Sequence, residues 1–201
     1  MMDAEFLDFS LLLSYNFSRG FQKKVYSANQ SGGYAMVSRI IGKKFNNVGR
    51  YMDMLGLLLG ETYTIINSKG KQIQAAEYAI HFQTQWRFRQ DNTILLASRD
   101  VYEPYCEDVP EDWQYDLKGR PDELSSVFDV QAKALKTKMQ GAVVTECRLS
   151  PVNDMVIVFS NGVVLEQFMP ATRKDEEWRL IDYKKDEHIV CYEEDVPFPI
   201  E

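Results

Sequence analysis

The sequence predicts an α+β protein with a largely antiparallel sheet, and three observations carry that prediction. From Tyr78 to Arg89 the chain alternates for twelve residues. Tyr78, Ile80, Phe82, Thr84, Trp86 and Phe88 fall on one side, with Ala79, His81, Gln83, Gln85, Arg87 and Arg89 on the other. That period of two belongs to an extended strand with one apolar and one polar face. The tripeptide Ser160-Asn161-Gly162 between two apolar runs is a hairpin signal, because Asn-Gly adopts the positive φ angles a tight turn needs. Thirdly, one order of landmarks occurs twice, as set out below.

The elements follow in order. Residues 3–14 read as a helix capped by Asp3, so apolar along Phe6 to Leu13 that it must be buried against the body or against a second copy, and in the second case it is the contact of a homodimer. Asn16 to Tyr34 reads as loop, and Tyr34 to Phe45 as a short element of open type. Arg50 to Gly60 and Glu61 to Asn67 read as strands, and Lys69-Gly70-Lys71 turns the chain into the strand at Tyr78. Gln90-Asp91-Asn92 returns it as an antiparallel neighbour over Thr93 to Ser98. Residues 103–121 form a long loop, of a length that is uncommon in compact domains unless functional. Pro121-Asp122-Glu123 opens a helix near 123–139 whose Leu124, Phe128, Ala132, Leu135 and Met139 make a core stripe, and Gly141 ends it. Val143 to Leu149, Met155 to Phe159, Val163 to Met169, Trp178 to Tyr183 and His188 to Tyr192 read as strands, followed by an acidic tail.

The repeated landmarks are Gly42, Arg50, Asp53-Met54, Gly60 and Trp86-Arg87, then Gly141, Arg148, Asp154-Met155, Gly162 and Trp178-Arg179. They predict one domain over 1–201 with similar β-meander halves at 42–100 and 141–195, joined by a loop and helix over 103–140. Each Trp would face the core and each Arg stand outside it, with Asp53 and Asp154 as the carboxylates nearest by symmetry.

Composition narrows the function. The chain has 201 residues and a net charge of −7. Residues 1–60 hold seven Lys and Arg against four acids, which leaves −10 on the remainder. Glu103 to Asp116 carries six acids and no base. Such a surface repels nucleic acid and steers a basic protein towards it. No apolar run reaches the roughly 18–20 residues of a membrane helix. Cys106, Cys147 and Cys191 are an odd number without a CxxC pair, as expected of reduced thiols in a cytoplasmic protein.

Chemistry-bearing motifs are missing: no glycine-rich phosphate loop, HExxH or GxSxG occurs. The expectation is a protein that is not an enzyme, with no catalytic residues, cofactor or metal. Two candidate surfaces emerge. The loop offers Glu103, Glu107, Asp108, Glu111 and Asp112 to steer a basic partner, with Tyr105, Trp113 and Tyr115 as aromatic anchors. The central strand offers His81, Gln83, Gln85 and Arg87 as a polar face that could take a small molecule.

A family resemblance rests on particular residues: Ile41-Gly42-Lys43-Lys44-Phe45 to Arg50 with Asp53-Met54, then His81-x-Gln83-x-x-Trp86-Arg87. Later come Phe159-Ser160-Asn161-Gly162, Glu177-Trp178-Arg179-Leu180 and His188-Ile189-Val190. Over residues 40–195 the chain resembles small uncharacterised bacterial proteins, some similar to immunity proteins encoded beside polymorphic or contact-dependent toxins. It departs from them at Thr84-Gln85, where a small or Cys-Pro pair is expected. The resemblance implies a cytoplasmic inhibitor that neutralises a cognate toxin by stoichiometric binding. The alternatives are a cytosolic structural or oligomeric protein and a small-molecule binder around His81.

Overall fold

The computed structural model describes residues 24–27 (backbone only), 35, 37–66, 70, 72–116, 121–170, 176–185 and 187–191. The expected helix over 3–14, with its dimer contact, and the tail from Glu193 lie outside them. Eleven strands are described: β1 (Lys24–Ser27), β2 (Phe45–Tyr51), β3 (Met54–Ile66), β4 (Gln72–Phe82), β5 (Gln85–Gln90), β6 (Thr93–Ala97), β7 (Val144–Leu149), β8 (Met155–Phe159), β9 (Val163–Phe168), β10 (Trp178–Asp182) and β11 (Glu187–Val190). They form a six-stranded sheet in the order β1-β11-β10-β4-β3-β2 and a five-stranded sheet in the order β6-β5-β9-β8-β7. Every pairing is antiparallel except β1 with β11.

The stretch predicted as one strand is two. Its alternation holds, but the chain leaves the six-stranded sheet at Phe82 and enters the five-stranded one at Gln85. The crossing is pinned from both sides: Gln83 N donates to Glu177 O at 2.9 Å and Thr84 Oγ1 to Phe168 O at 2.8 Å. A two-residue crossing preserves the in/out phase, so Tyr78, Ile80, Phe82, Trp86 and Phe88 all reach one core. Periodicity therefore reads straight through the break. A second revision concerns β3, which runs unbroken through Gly60 with a bulge there, while Arg50 belongs to β2.

One apolar cluster fills the space between the sheets, with Leu55, Leu57, Leu59, Ile80, Phe82, Trp86, Phe88, Ile157, Phe159, Leu165, Trp178, Leu180 and Ile189 among its members. Phe45 and Phe159 meet edge to face at 6.5 Å. The α-helix α1 (Val127–Lys138) adds Phe128, Ala132 and Leu135, and Met139 follows at its end. It starts four residues later than the expected start at Glu123, because Asp122–Leu124 forms a 3₁₀ turn and Ser126 caps the helix by accepting from Asp129 N. The outer face of the six-stranded sheet is also buried, around Leu58, Ala75, Ala79, Ile181 and Tyr183.

The two meander halves are not laid side by side. β2, β3 and β4 share a sheet with β10 and β11, while β7, β8 and β9 share one with β5 and β6, so each half lends its last hairpin to the other. Corresponding bonds repeat closely. Phe45 N donates to Ala142 O at 2.8 Å and Val144 N to Lys43 O at 2.9 Å; Gly60 N donates to Lys44 O and Ser160 N to Val143 O, both at 2.8 Å. Bulges follow Phe45 in β2 and Val144 in β7. Gly42 (φ +83°) and Gly141 (φ +76°) turn the chain into those strands through a conformation that other residues adopt at a cost. Trp86 faces Gln167 and Phe88 faces Leu165 across one sheet; Trp178 faces Phe82 and Leu180 faces Ile80 across the other.

Candidate functional site: an acidic loop clamped to the β2–β3 turn

The segment from Ser98 to Ser126 has no counterpart among the described residues of the second half. A 3₁₀ turn over Ser98–Val101 leads into it, with Asp100 accepting from Ala97 N at 2.7 Å. Backbone bonds then fasten the loop to the start of α1: Tyr105 N donates to Ser125 O and Val127 N to Glu103 O.

Arg50 is the main clamp. Its side chain is 7% exposed and reaches from the end of β2 to three elements. It donates to both carboxylate oxygens of Asp129 on α1 (2.8 and 2.6 Å), to Met52 O in the β2–β3 turn (2.6 Å) and to Tyr115 O in the loop (2.6 Å). The planar fork of guanidinium fits the carboxylate bidentately and still leaves donors for carbonyls, which an ammonium would not match. Burial works to raise the Asp129 pKa, but the Arg50 hydrogen bonds and charge outweigh it and hold the carboxyl below its ordinary value. Tyr102 completes the join. Its hydroxyl donates to Asp53 Oδ2 at 2.8 Å and its ring meets Tyr115 at 4.8 Å; burial, then the Asp53 bond, push its pKa up to about 12.

The loop residues expected to meet a partner divide into two groups. Glu103, Glu107, Asp108, Glu111 and Asp112 are exposed, and Tyr105 is 46% exposed. Trp113 and Tyr115 turn inwards. The Trp113 Nε1 donates to Leu124 O at 2.9 Å, and Tyr115 packs on the core with Arg50 6.0 Å above its ring. They hold the loop down rather than project from it. Three outward-facing side chains carry no signal in the sequence: Tyr51 (41% exposed), Met52 (46%) and Tyr102 (48%). Tyr51 and Met52 looked like part of a strand, and only the two-residue turn at Met52-Asp53 exposes them.

The polar strand face does not exist as one surface. His81 is only 6% exposed, on the outer face of the six-stranded sheet opposite Gly56 and Arg179. Burial, helped by the Arg179 charge, lowers its pKa to about 4. Gln83 is exposed at the crossing, while Gln85 and Arg87 lie in the other sheet. Arg87 does not pair with Asp53: it donates to Glu166, which also accepts from Arg89, and it stands 5.2 Å from the Phe168 ring. Arg179 binds Glu176 instead of Asp154, whose oxygens accept from Met169 N and Ser150 Oγ.

Among the described residues no group of His, Cys, Asp and Glu is arranged to hold a metal ion, and no disulfide joins the three cysteines. No described helix is long and apolar enough to cross a membrane. Fold and site define a mainly antiparallel, two-sheet protein carrying an acidic, aromatic loop on a rigid body. Comparison with protein families, characterised proteins and solved structures returns no match to this chain.

Proposed function

We propose that the chain is a protein-binding inhibitor of immunity type, which acts in the cytoplasm without catalysis and neutralises a basic toxin domain by one-to-one binding. The observation that carries this reading is the loop 103–116: six acids and no base, fastened to the body by Arg50, Trp113 and Tyr115. A fixed loop loses little conformational entropy on binding, and a single sign of charge speeds encounter with an opposite partner. The reading also takes 42–100 and 141–195 as one duplicated unit. The loop is then an addition that the shared scaffold does not require.

The test is co-expression with the product of the adjacent gene. Growth should be arrested by that product alone and restored by this chain, and the purified pair should form a one-to-one complex. Raising salt fivefold should slow association, since exposed charges are screened over about 8–10 Å at ordinary ionic strength. Reversing Glu107, Asp108, Glu111 and Asp112 to Lys should slow it as well. Growth that this chain does not restore would overturn the reading.

A further inference from the structure

We infer that the binding energy of this surface centres on the β2–β3 turn, where Met52, flanked by Tyr51 and Tyr102, seats an apolar side chain of a basic protein segment. The inference rests on the reading above and deepens it by moving the anchor from the loop to the turn.

Three observations converge. Large apolar side chains are seldom left open in company, yet Tyr51, Met52 and Tyr102 are each more than two-fifths exposed. Two ties bring them together: Tyr102 bonds to Asp53, the residue after Met52, and Arg50 joins Met52 O to the backbone of Tyr115, whose ring meets that of Tyr102. Met52 also occupies the first central position of the turn with φ +53°, where glycine is the least costly residue. A flexible thioether gains nothing for the turn, but it adapts to a partner's contour.

Charge decides the occupant. Exposed Asp53 follows Met52 and exposed Glu103 follows Tyr102, while the guanidinium of Arg50, its side chain only 7% exposed, is engaged by Asp129 and two carbonyls. A segment combining Lys or Arg with an exposed apolar side chain complements that arrangement, with apolar contact at the centre and charge at the rim.

The test uses two synthetic probes of equal charge, a lysine homopolymer and a lysine–leucine peptide, titrated into the full chain by NMR. The lysine–leucine peptide should shift the Met52 methyl resonance and the Tyr102 ring; the homopolymer should shift loop amides alone. Met52→Gly removes the side chain while suiting the turn, so its thermal midpoint should be unchanged or higher. Its affinity for the lysine–leucine peptide should fall at least tenfold, with homopolymer binding unaltered. If Met52→Gly binds both probes as the native chain does, the anchor is not at the turn and the acidic-loop reading stands without it. If neither probe shifts any resonance of the loop or the turn, both readings fall.

Discussion

Lys44 and Val143 pair in an antiparallel bridge, and each holds the position in its own half that the other holds in the second. The same bonds lie on either side of the bridge: Phe45 N to Ala142 O against Val144 N to Lys43 O, then Lys43 N to Ile40 O against Ala142 N to Met139 O, both at 3.0 Å. The bonds at this seam repeat about a local two-fold, and each sheet takes a hairpin from the other side of it. The two crossings, at Gln83-Thr84 and between Phe168 and Trp178, close the body by exchange, and neither half keeps its core to itself.

Glycines near the seam separate strain from crowding. Gly60 has φ +85°, and a Cβ there would lie 2.7 Å from Glu77 Cβ. Gly141 has φ +76° with nothing within 4 Å. Alanine at either position pays the left-handed penalty of about 1–2 kcal/mol. At Gly60 it must also displace a side chain that Lys43 and Lys184 hold in place. Urea unfolding should show Gly141→Ala costing about 1 kcal/mol and Gly60→Ala at least twice that; equal losses would mean that the Glu77 contact is harmless.

What the sequence discloses here is phase and turn chemistry. Alternation from Tyr78 to Arg89 sets which side chains face inwards, and Ser160-Asn161-Gly162 sets a hairpin. Neither reveals which sheet a strand joins, because that depends on partners distant in the chain: Phe82 lies against Trp178, and Gln85 against Phe168. His81 illustrates the cost. Its place in the alternation assigns it to a polar face, whereas the neighbours that bury it come from elsewhere in the sequence. The acidic loop is plain in composition, but the roles of its aromatics follow from Arg50 and Leu124, which no local pattern connects to them.

Arg50 makes a stability and a mobility prediction together. Arg50→Ala leaves the half-buried Asp129 carboxylate held, among the described residues, by Ser126 through its hydroxyl and its backbone N–H; because Asp129 is partly solvated, the loss is about 2–3 kcal/mol, less than for a fully buried pair. The released Tyr115 carbonyl should loosen the loop, so limited proteolysis should cut within 103–116 faster than in the native chain. Asp129→Asn should lose less stability than Arg50→Ala, since an amide still accepts one of the two Arg50 bonds. A protease pattern unchanged in Arg50→Ala would remove Arg50 as the clamp.

His81 predicts an acid-sensitive limb. Its pKa falls from an ordinary value near 6.5 to about 4 in the folded chain, so the unfolded chain binds the extra proton first. Stability is therefore full above about pH 6.5 and is lost as pH drops towards 4, by up to about 3 kcal/mol. Glu77, Asp129 and Glu166 have depressed carboxyl pKa values, and their losses set in lower, below the ordinary carboxylate range near 4. In urea midpoints measured between pH 7 and 3, His81→Gln should flatten the slope above pH 4 while leaving the carboxylate limb below it intact. A native slope unaltered by that substitution would assign the proton to another group.

The two counterpart tryptophans should respond differently to the same change. Trp86 and Trp178 both fill the core, Trp178 as the first residue of β10 and Trp86 as the second of β5, at the start of strands that have crossed between sheets. Trp178 Nε1 donates to Asn153 O at 3.1 Å, whereas Trp86 Nε1 has no hydrogen-bond partner among the described residues and its ring instead meets Phe88 at 6.0 Å and Phe128 at 5.9 Å. Tryptophan to phenylalanine removes a similar volume at each position, so the cavity terms roughly cancel in the comparison. What differs is the indole donor. At Trp178 its loss leaves a buried carbonyl without that bond, a penalty of about 1–3 kcal/mol; at Trp86 the substitution removes a donor already unsatisfied. Guanidinium unfolding of the two variants should place Trp178→Phe below Trp86→Phe by about 1–2 kcal/mol. The reverse order would show that the Asn153 bond contributes little and that edge-to-face packing around Trp86 matters more.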